Sequence, residues 1–421
     1  MTLSLSQNSF LSKLLYTLCV LVLLLNSYET TFVVWGFTAF VTLRKKYSVT
    51  FLRLQIILGL VLVVALFSAQ FTAHKSYVYF KDISYLLKPM LGLAVGYNLC
   101  KINGKNFFNT ALYAGVLLAL IHIITILVCF FIFKISTMHL LRHYGGYFND
   151  YEIYTLILLL FSKEFQIKIK AHTRFIFIAL LSISAFLYLA RTNMIQFVVL
   201  FMAMKGYFIL NAKNIKYLLS VSVVVLAGYA AIYYSNPSRK GEGLEAFLYK
   251  IKIAPIESFK TKINEEDWKD FNDNYRSFEN IITVRQVTDR GFPTILIGKG
   301  MGSTIDLGRE MWTNDQEFIR YVPELHNTYM TMYLKAGLLG VFLTLIFMIY
   351  LGKMKVTNDP LVYQLNLLLL GSAIFLIVSN WVFLGLYLKL DNKSILLGFL
   401  IAYRELVMAS SATIPPVKNE C

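Results

Sequence analysis

About twelve apolar stretches, each near the length needed to cross a bilayer, leave this chain few ways to fold. A helix needs roughly 20 apolar residues to span a hydrocarbon core of about 30 Å, and every backbone polar group placed there must be satisfied inside the protein. The stretches fall at 11–27, 29–43, 51–71, 83–100, 107–133, 151–162, 173–190, 193–210, 215–234, 327–352, 361–388 and 394–411. The sixth is short and the second and fourth are marginal; tilt, or a kink at Pro89, would accommodate them. The first resembles a secretory signal but lacks a small-x-small cleavage site and is followed by more spans, so it reads as a retained helix. The expected fold is an all-α polytopic membrane protein. About nine spans form an N-terminal bundle over 1–234, a polar segment covers 235–325, and about three spans follow over 326–421.

Charge gives the orientation. The net charge of +16 would raise the question of nucleic acid in a soluble chain. Here residues 235–325 hold 13 Lys/Arg against 15 Asp/Glu, while the rest of the chain holds 27 against 9, mostly in short loops. With the first helix entering from inside, the cytoplasmic turns collect 18 Lys/Arg, from Lys13 and Arg44 through Lys163 and Arg174 to Lys353 and Arg404. The opposing short loops hold 8. That bias puts both termini in the cytoplasm and residues 235–325 outside, in the periplasm of a cell with an outer membrane. The partner it implies is the lipid bilayer, with no nucleic acid. The external segment is expected to be mainly helical with loops and to contain no β-domain. Cys19, Cys100, Cys129 and Cys421 all lie outside it, so neither a disulfide framework nor a metal-ligand spacing is visible.

Four polar features then share the outer side. His326-Asn327 precedes the tenth span, where Asn327 can cap the helix and leave His326 at its mouth. Nine residues later Gly337-Leu338-Leu339-Gly340 would let a neighbouring helix approach closely. Arg191 stands at an outer turn as the only formal charge between Arg174 and Lys205, and Arg276 lies within the external segment. The loop from Arg142 to Asp150 is rich in glycine and aromatic residues, among them Tyr144 and Tyr147. Each has an ordinary explanation taken singly: a helix cap, a snorkelling arginine, a solvated charge, an interfacial aromatic belt.

Together they suit one chemistry. Guanidinium groups bind phosphate oxygens in pairs of hydrogen bonds and neutralise a departing diphosphate. An imidazole titrating near neutrality can take the proton of an attacking hydroxyl. A substrate with a lipid tail and a phosphate-linked head would present both at this surface, and electrostatic stabilisation of the leaving group would stand in for a metal. The candidate catalytic residues are His326, Arg276 and Arg191. The candidate substrate contacts are Arg191, Arg276, Asn327, Tyr329, Arg142, Tyr144 and Tyr147. No metal or other cofactor is expected. Gly298-Lys299-Gly300-Met301-Gly302-Ser303 lacks the spacing of a nucleotide loop and reads as a structural turn. Lys335, an intramembrane cation, calls for a buried carboxylate or a hydrated cavity.

These residues resemble the O-antigen ligase and O-antigen polymerase superfamily of bacterial membrane glycosyltransferases. Arg191-Thr192-Asn193-Met194-Ile195 is similar to its Arg-x-x-x-Leu segment, with Ile for Leu. Arg276 stands in the place of its external-loop arginine, and His326-Asn327-x9-Gly337-x-x-Gly340 fits its His-Asn pattern without a gap. Tyr151 and Phe278 depart from residues common in that family. The resemblance covers about residues 140–350. It implies a GT-C-like helical scaffold in the bacterial inner membrane and metal-independent transfer of glycan from an undecaprenyl-diphosphate-linked donor to a glycan acceptor. Arg191 and Arg276 would bind the diphosphate and His326 would act on the acceptor hydroxyl. Polymerisation of repeat units is the first expectation, and ligation to lipid A core or a protein the alternative. A lipid-linked oligosaccharide flippase is more distant. A chain-length regulator or a flippase is a candidate partner.

Overall fold

The computed structural model describes residues 9–72, 76–188, 190–209, 211–239, 244–255, 257, 259–264, 266–312, 318–382, 384–389 and 391–412. Each of the twelve apolar stretches is helical. The first nine correspond to Ser9–Leu21, Tyr28–Val41, Val49–Ala69, Ser76–Asn103, Phe108–Phe131, Asp150–Leu160, Ala171–Leu187, Arg191–Met204 and Ala212–Ser235. The last three are Thr328–Leu351, Pro360–Val382 and Lys393–Ala412. Among the described residues, six helices are long and apolar enough to cross a membrane: those beginning at Val49, Phe108, Ala212, Thr328, Pro360 and Lys393. The fourth helix runs 28 residues rather than the expected 18 or so, and carries buried Asp82 and Lys88 along it.

Local chemistry sets the helix starts. Ser48, Asn149, Asn211 and Asn327 each accept backbone N–H groups of the following first turn, the role short polar side chains play where no preceding carbonyl is available. The tightest helix pair is Ser76–Asn103 with Lys393–Ala412, where a methyl at Gly96 would strike the Ile395 carbonyl and one at Gly398 the Leu93 carbonyl. Close approach through small residues therefore occurs here. The expectation placed it at Gly337 and Gly340, and there the structure differs. Gly337 has φ 64° and ψ −162°, a break in the Thr328–Leu351 helix, and its α-carbon faces the backbone of Leu296 and Gly298. What packs against it is the end of the short Phe292–Ile297 helix and the turn that follows.

Residues 235–325 are helical in part, through Leu244–Ile253, Trp268–Asp273, Tyr275–Thr288 and Phe292–Ile297. They also hold an antiparallel strand pair, Ile305–Trp312 with Phe318–Val322, which the sequence reading did not expect. Ile305 and Leu307 face a small core containing Phe271, Phe278, Val287 and Leu334. Asp306 and Arg320 close a two-pronged hydrogen bond across the strands at 2.7 and 2.9 Å. Ile305-Asp306-Leu307-Gly308 alternates, but Arg309-Glu310 and a shift of register between Asp306 and Met311 break the pattern, which left the strands without a clean period-two signal.

Candidate functional site

The Tyr275–Thr288 helix lays Tyr275, Arg276 and Glu279 on neighbouring positions of one turn. Glu279 is buried and faces the start of the Thr328–Leu351 helix. It accepts the His326 backbone N–H at 3.2 Å and lies 3.0 and 3.1 Å from Nδ1 of the same residue. The Tyr275 hydroxyl also hydrogen-bonds Glu279, and the Tyr275 ring meets the imidazole edge-on at 5.7 Å. A buried carboxylate gripped from three sides thus fixes the orientation of His326. The imidazole keeps 52% of its side-chain surface open, so its other edge is available to a substrate. Burial by the surrounding residues acts to lower the His326 pKa. The charge and hydrogen bond of Glu279 outweigh that and hold it above the ordinary imidazole value, with Arg276 opposing and Glu257 assisting.

The arginines approach from other elements. Arg276 Nη1 lies 3.4 Å from Glu257, both side chains being about four-fifths buried. Arg191, the first residue of its helix, donates from Nη1 to the Lys250 carbonyl at 2.8 Å. Its charge environment contains Glu257, Arg276 and Arg142. Arg142 in turn reaches the Tyr147 carbonyl at 3.4 Å and sits over the Tyr147 ring at 5.6 Å. Residues 142, 191, 257, 276, 279 and 326, from four separate parts of the chain, therefore share one electrostatic neighbourhood. It sets three guanidinium charges against two carboxylates, leaving a positive balance for an anion.

The remaining candidates fall around this centre in different ways. Asn327 spends its side-chain oxygen on Tyr329 N and Met330 N, at 2.9 and 3.3 Å, while its Nδ2 is buried with no partner. Tyr329 donates its hydroxyl to the Ile377 carbonyl at 3.0 Å. Both hold the His326 helix in place. Tyr144 is 59% exposed and its ring packs on His143 at 5.4 Å, so the described contacts join Tyr147 to Arg142 and leave Tyr144 outside. Glu279 and Glu257 carried no role in the sequence reading. The signal for Glu279 was its position three residues after Arg276.

A second junction stands next to the first. Helix Thr328–Leu351 breaks at Gly337, and the carbonyls of Leu334 and Lys335 accept N–H groups of Lys299 and Gly300 at 2.7 and 3.1 Å. Lys335 Nζ donates to Asp82 Oδ2 and to the Ser303 carbonyl, both at 2.5 Å, and Gly302 N donates to the same carboxylate at 2.7 Å. Ser68 binds the Gly298 carbonyl at 2.6 Å. Of the two settings considered for Lys335, the structure selects a buried carboxylate. The Gly298–Ser303 run is a turn that seals a broken helix and ties residues 235–325 to the helices beneath. No protein-family model matches the chain, and no curated protein matches it at a significant level.

Proposed function

We propose that this protein is a membrane glycosyltransferase of the O-antigen polymerase and ligase type, joining lipid-diphosphate-linked repeat units into a surface polysaccharide. In this reading all twelve helices lie in the bacterial inner membrane on a GT-C-like plan, with both termini cytoplasmic and residues 235–325 periplasmic. The observation that carries it is the meeting of Arg142, Arg191 and Arg276 beside an imidazole held by Glu279. Glu279 engages Nδ1, which leaves Nε2 to take the proton of an acceptor hydroxyl. The acceptor oxygen bonds to the anomeric carbon of the donor sugar as the bond from that carbon to the diphosphate oxygen breaks. The lipid diphosphate departs with the electron pair, and the guanidinium groups stabilise the charge it gains.

Purified protein in nanodiscs, given defined polyprenyl-diphosphate-linked repeat units and a chelator, is expected to yield a ladder of longer glycans. Arg191→Ala and Arg276→Ala should each lower that rate by about 10²-fold or more. Lysine at either position should restore only part, because an ammonium lacks the planar fork. Transfer to a lipid A core acceptor alone would make the enzyme a ligase. Transfer to neither acceptor would overturn the reading.

A second expectation concerns pH. Wild-type activity should fall on the acid side as His326 takes up a proton, at a pH above the ordinary imidazole range. Glu279→Gln removes the supporting charge while burial and Arg276 still disfavour the cation, so this limb moves to lower pH. Its plateau rate should fall by less than the ~10²-fold or more lost with the imidazole itself. The stability contributed by the His326–Glu279 ion pair is present in acid and is lost as pH rises through the raised pKa. An unmoved pH profile in Glu279→Gln would mean that the carboxylate does not govern the imidazole.

A further inference from the structure

We infer that Glu152 and Tyr188 are positioning residues for transfer: a buried hydrogen-bonded cluster sets Arg191 against the loop that carries Arg142. This deepens the transfer reading and rests on it. The two arginines belong to different elements. Arg142 lies in the short helix Met138–Gly145, and Arg191 opens the helix Arg191–Met204. They carry like charge, and Arg276 adds a third cation to the same neighbourhood. Such groups push one another apart, so their spacing has to be fixed from beneath.

The cluster begins at Glu152, a buried residue in the first turn of the Asp150–Leu160 helix. Its carboxylate accepts the Ser184 hydroxyl at 2.5 Å and the Tyr188 hydroxyl at 3.0 Å. A serine hydroxyl has one hydrogen to give. Because Ser184 gives it to Glu152, the 2.7 Å contact between Ser184 and His122 is donated by the imidazole Nδ1–H. This sequence of donors holds His122 in one tautomer and one plane. The Tyr188 ring lies against that plane at 3.7 Å and 4° from parallel. Three helices, Phe108–Phe131, Asp150–Leu160 and Ala171–Leu187, are thereby tied at one point.

Both arginine-bearing segments rest on this ring pair. Tyr188 caps the end of the Ala171–Leu187 helix, three residues before Arg191. Gly145 and Gly146 close the helix that carries Arg142. A methyl at Gly145 would strike Ile126 at 2.5 Å and stand 3.2 Å from His122, and one at Gly146 would meet Tyr188 at 3.6 Å. Leu141, next to Arg142, shares a small apolar cluster with Ile126 and Leu187. At the other end of the loop Asn149 hydrogen-bonds the Tyr188 hydroxyl and caps the helix of Glu152. The Arg142 loop is thus held at both ends against the residue that leads into Arg191. Such a frame matters to the chemistry, since misplacing a binding group by about 1 Å can cost ~10²-fold in rate.

The test is a double-mutant cycle in nanodiscs, read by kcat/KM for the lipid-linked donor and by the affinity of a sugar-free polyprenyl diphosphate. Tyr188→Phe keeps the stacked ring and removes the hydroxyl, and should lower both by about 10-fold. In an Arg191→Ala background the same change should cost less than about twofold, because no guanidinium is left for it to place. Tyr97→Phe controls for a lost hydroxyl elsewhere: it gives up a 2.8 Å bond to Glu405 and should transfer at the wild-type rate. Glu152→Gln can still accept from one hydroxyl and donate to the other, so it should stay near wild type, while Glu152→Leu falls at least as far as Tyr188→Phe. Wild-type affinity in Tyr188→Phe, or an undiminished cost in the absence of Arg191, would overturn the inference and leave the transfer reading standing. Equal losses in Glu152→Gln and Glu152→Leu would overturn it as well. Diphosphate binding that follows the cycle in a protein that transfers no glycan would fault the enzyme reading and keep the frame.

Discussion

Replacing His326 by alanine should reduce glycosyl transfer by about 10²–10⁴-fold, the range expected when a positioned general base is removed, with little loss of folding stability. Both halves follow from the geometry. The imidazole is half open, so its removal takes away little packing. Glu279 is not orphaned either, since the His326 backbone N–H at 3.2 Å and the Tyr275 hydroxyl remain as donors. The cost should fall on kcat, because the imidazole acts on the proton in flight while the arginines bind the diphosphate. The measurements are single-turnover transfer and thermal unfolding of the purified variant. His172 supplies the control: it is exposed at the start of the Ala171–Leu187 helix, and His172→Ala should transfer at the wild-type rate. His122 would be a poor control. Its Nδ1 lies 2.7 Å from Ser184, its ring stacks on Tyr188 at 3.7 Å, and both partners hydrogen-bond Glu152. Wild-type transfer by His326→Ala would remove this residue from the chemistry.

The parts legible in the sequence are those that depend on local order. Apolar length gave a helix at every expected stretch, because a helix satisfies its own backbone. The cap at Asn327 was legible for the same reason: its partners are the N–H groups two and three residues along the chain. Three features escaped because they are settled at long range. Glu279 meets His326 across 47 residues, and spacing from Arg276 alone does not say which side of the helix faces the site. The Gly337-x-x-Gly340 pair carries the same letters whether the first glycine is helical or at φ 64°, and only the end of the Phe292–Ile297 helix and the turn to Ser303 decide which. The strand pair is held by Asp306–Arg320 and a small shared core, with too few apolar alternations to show beforehand.

Asp82→Ala should be the most destabilising single change outside the apolar core, by about 3–5 kcal/mol, the usual cost of leaving a buried charge without its partner. Asp82 and Lys335 each expose about 1% of their side-chain surface and sit 2.5 Å apart. The pair is also the hub of the junction: the ammonium holds the Ser303 carbonyl and the carboxylate holds Gly302 N. Losing the carboxylate frees the turn that supplies partners to the carbonyls of Leu334 and Lys335, about two turns below the helix start at Thr328. Transfer should therefore fall together with stability, unlike in His326→Ala. Removing both charges separates the two contributions. In Asp82→Leu/Lys335→Met neither ion is desolvated, and similar volumes fill the site, so most of the stability should return. The backbone bonds of Lys299 and Gly300 to the broken helix remain available in that variant, so transfer should recover in part. Thermal unfolding in detergent and proteolysis of the Gly298–Ser303 turn report the two effects. Should the double variant be as unstable as Asp82→Ala, the instability would come from lost hydrogen bonds to the turn, and the ion pair would not be its cause.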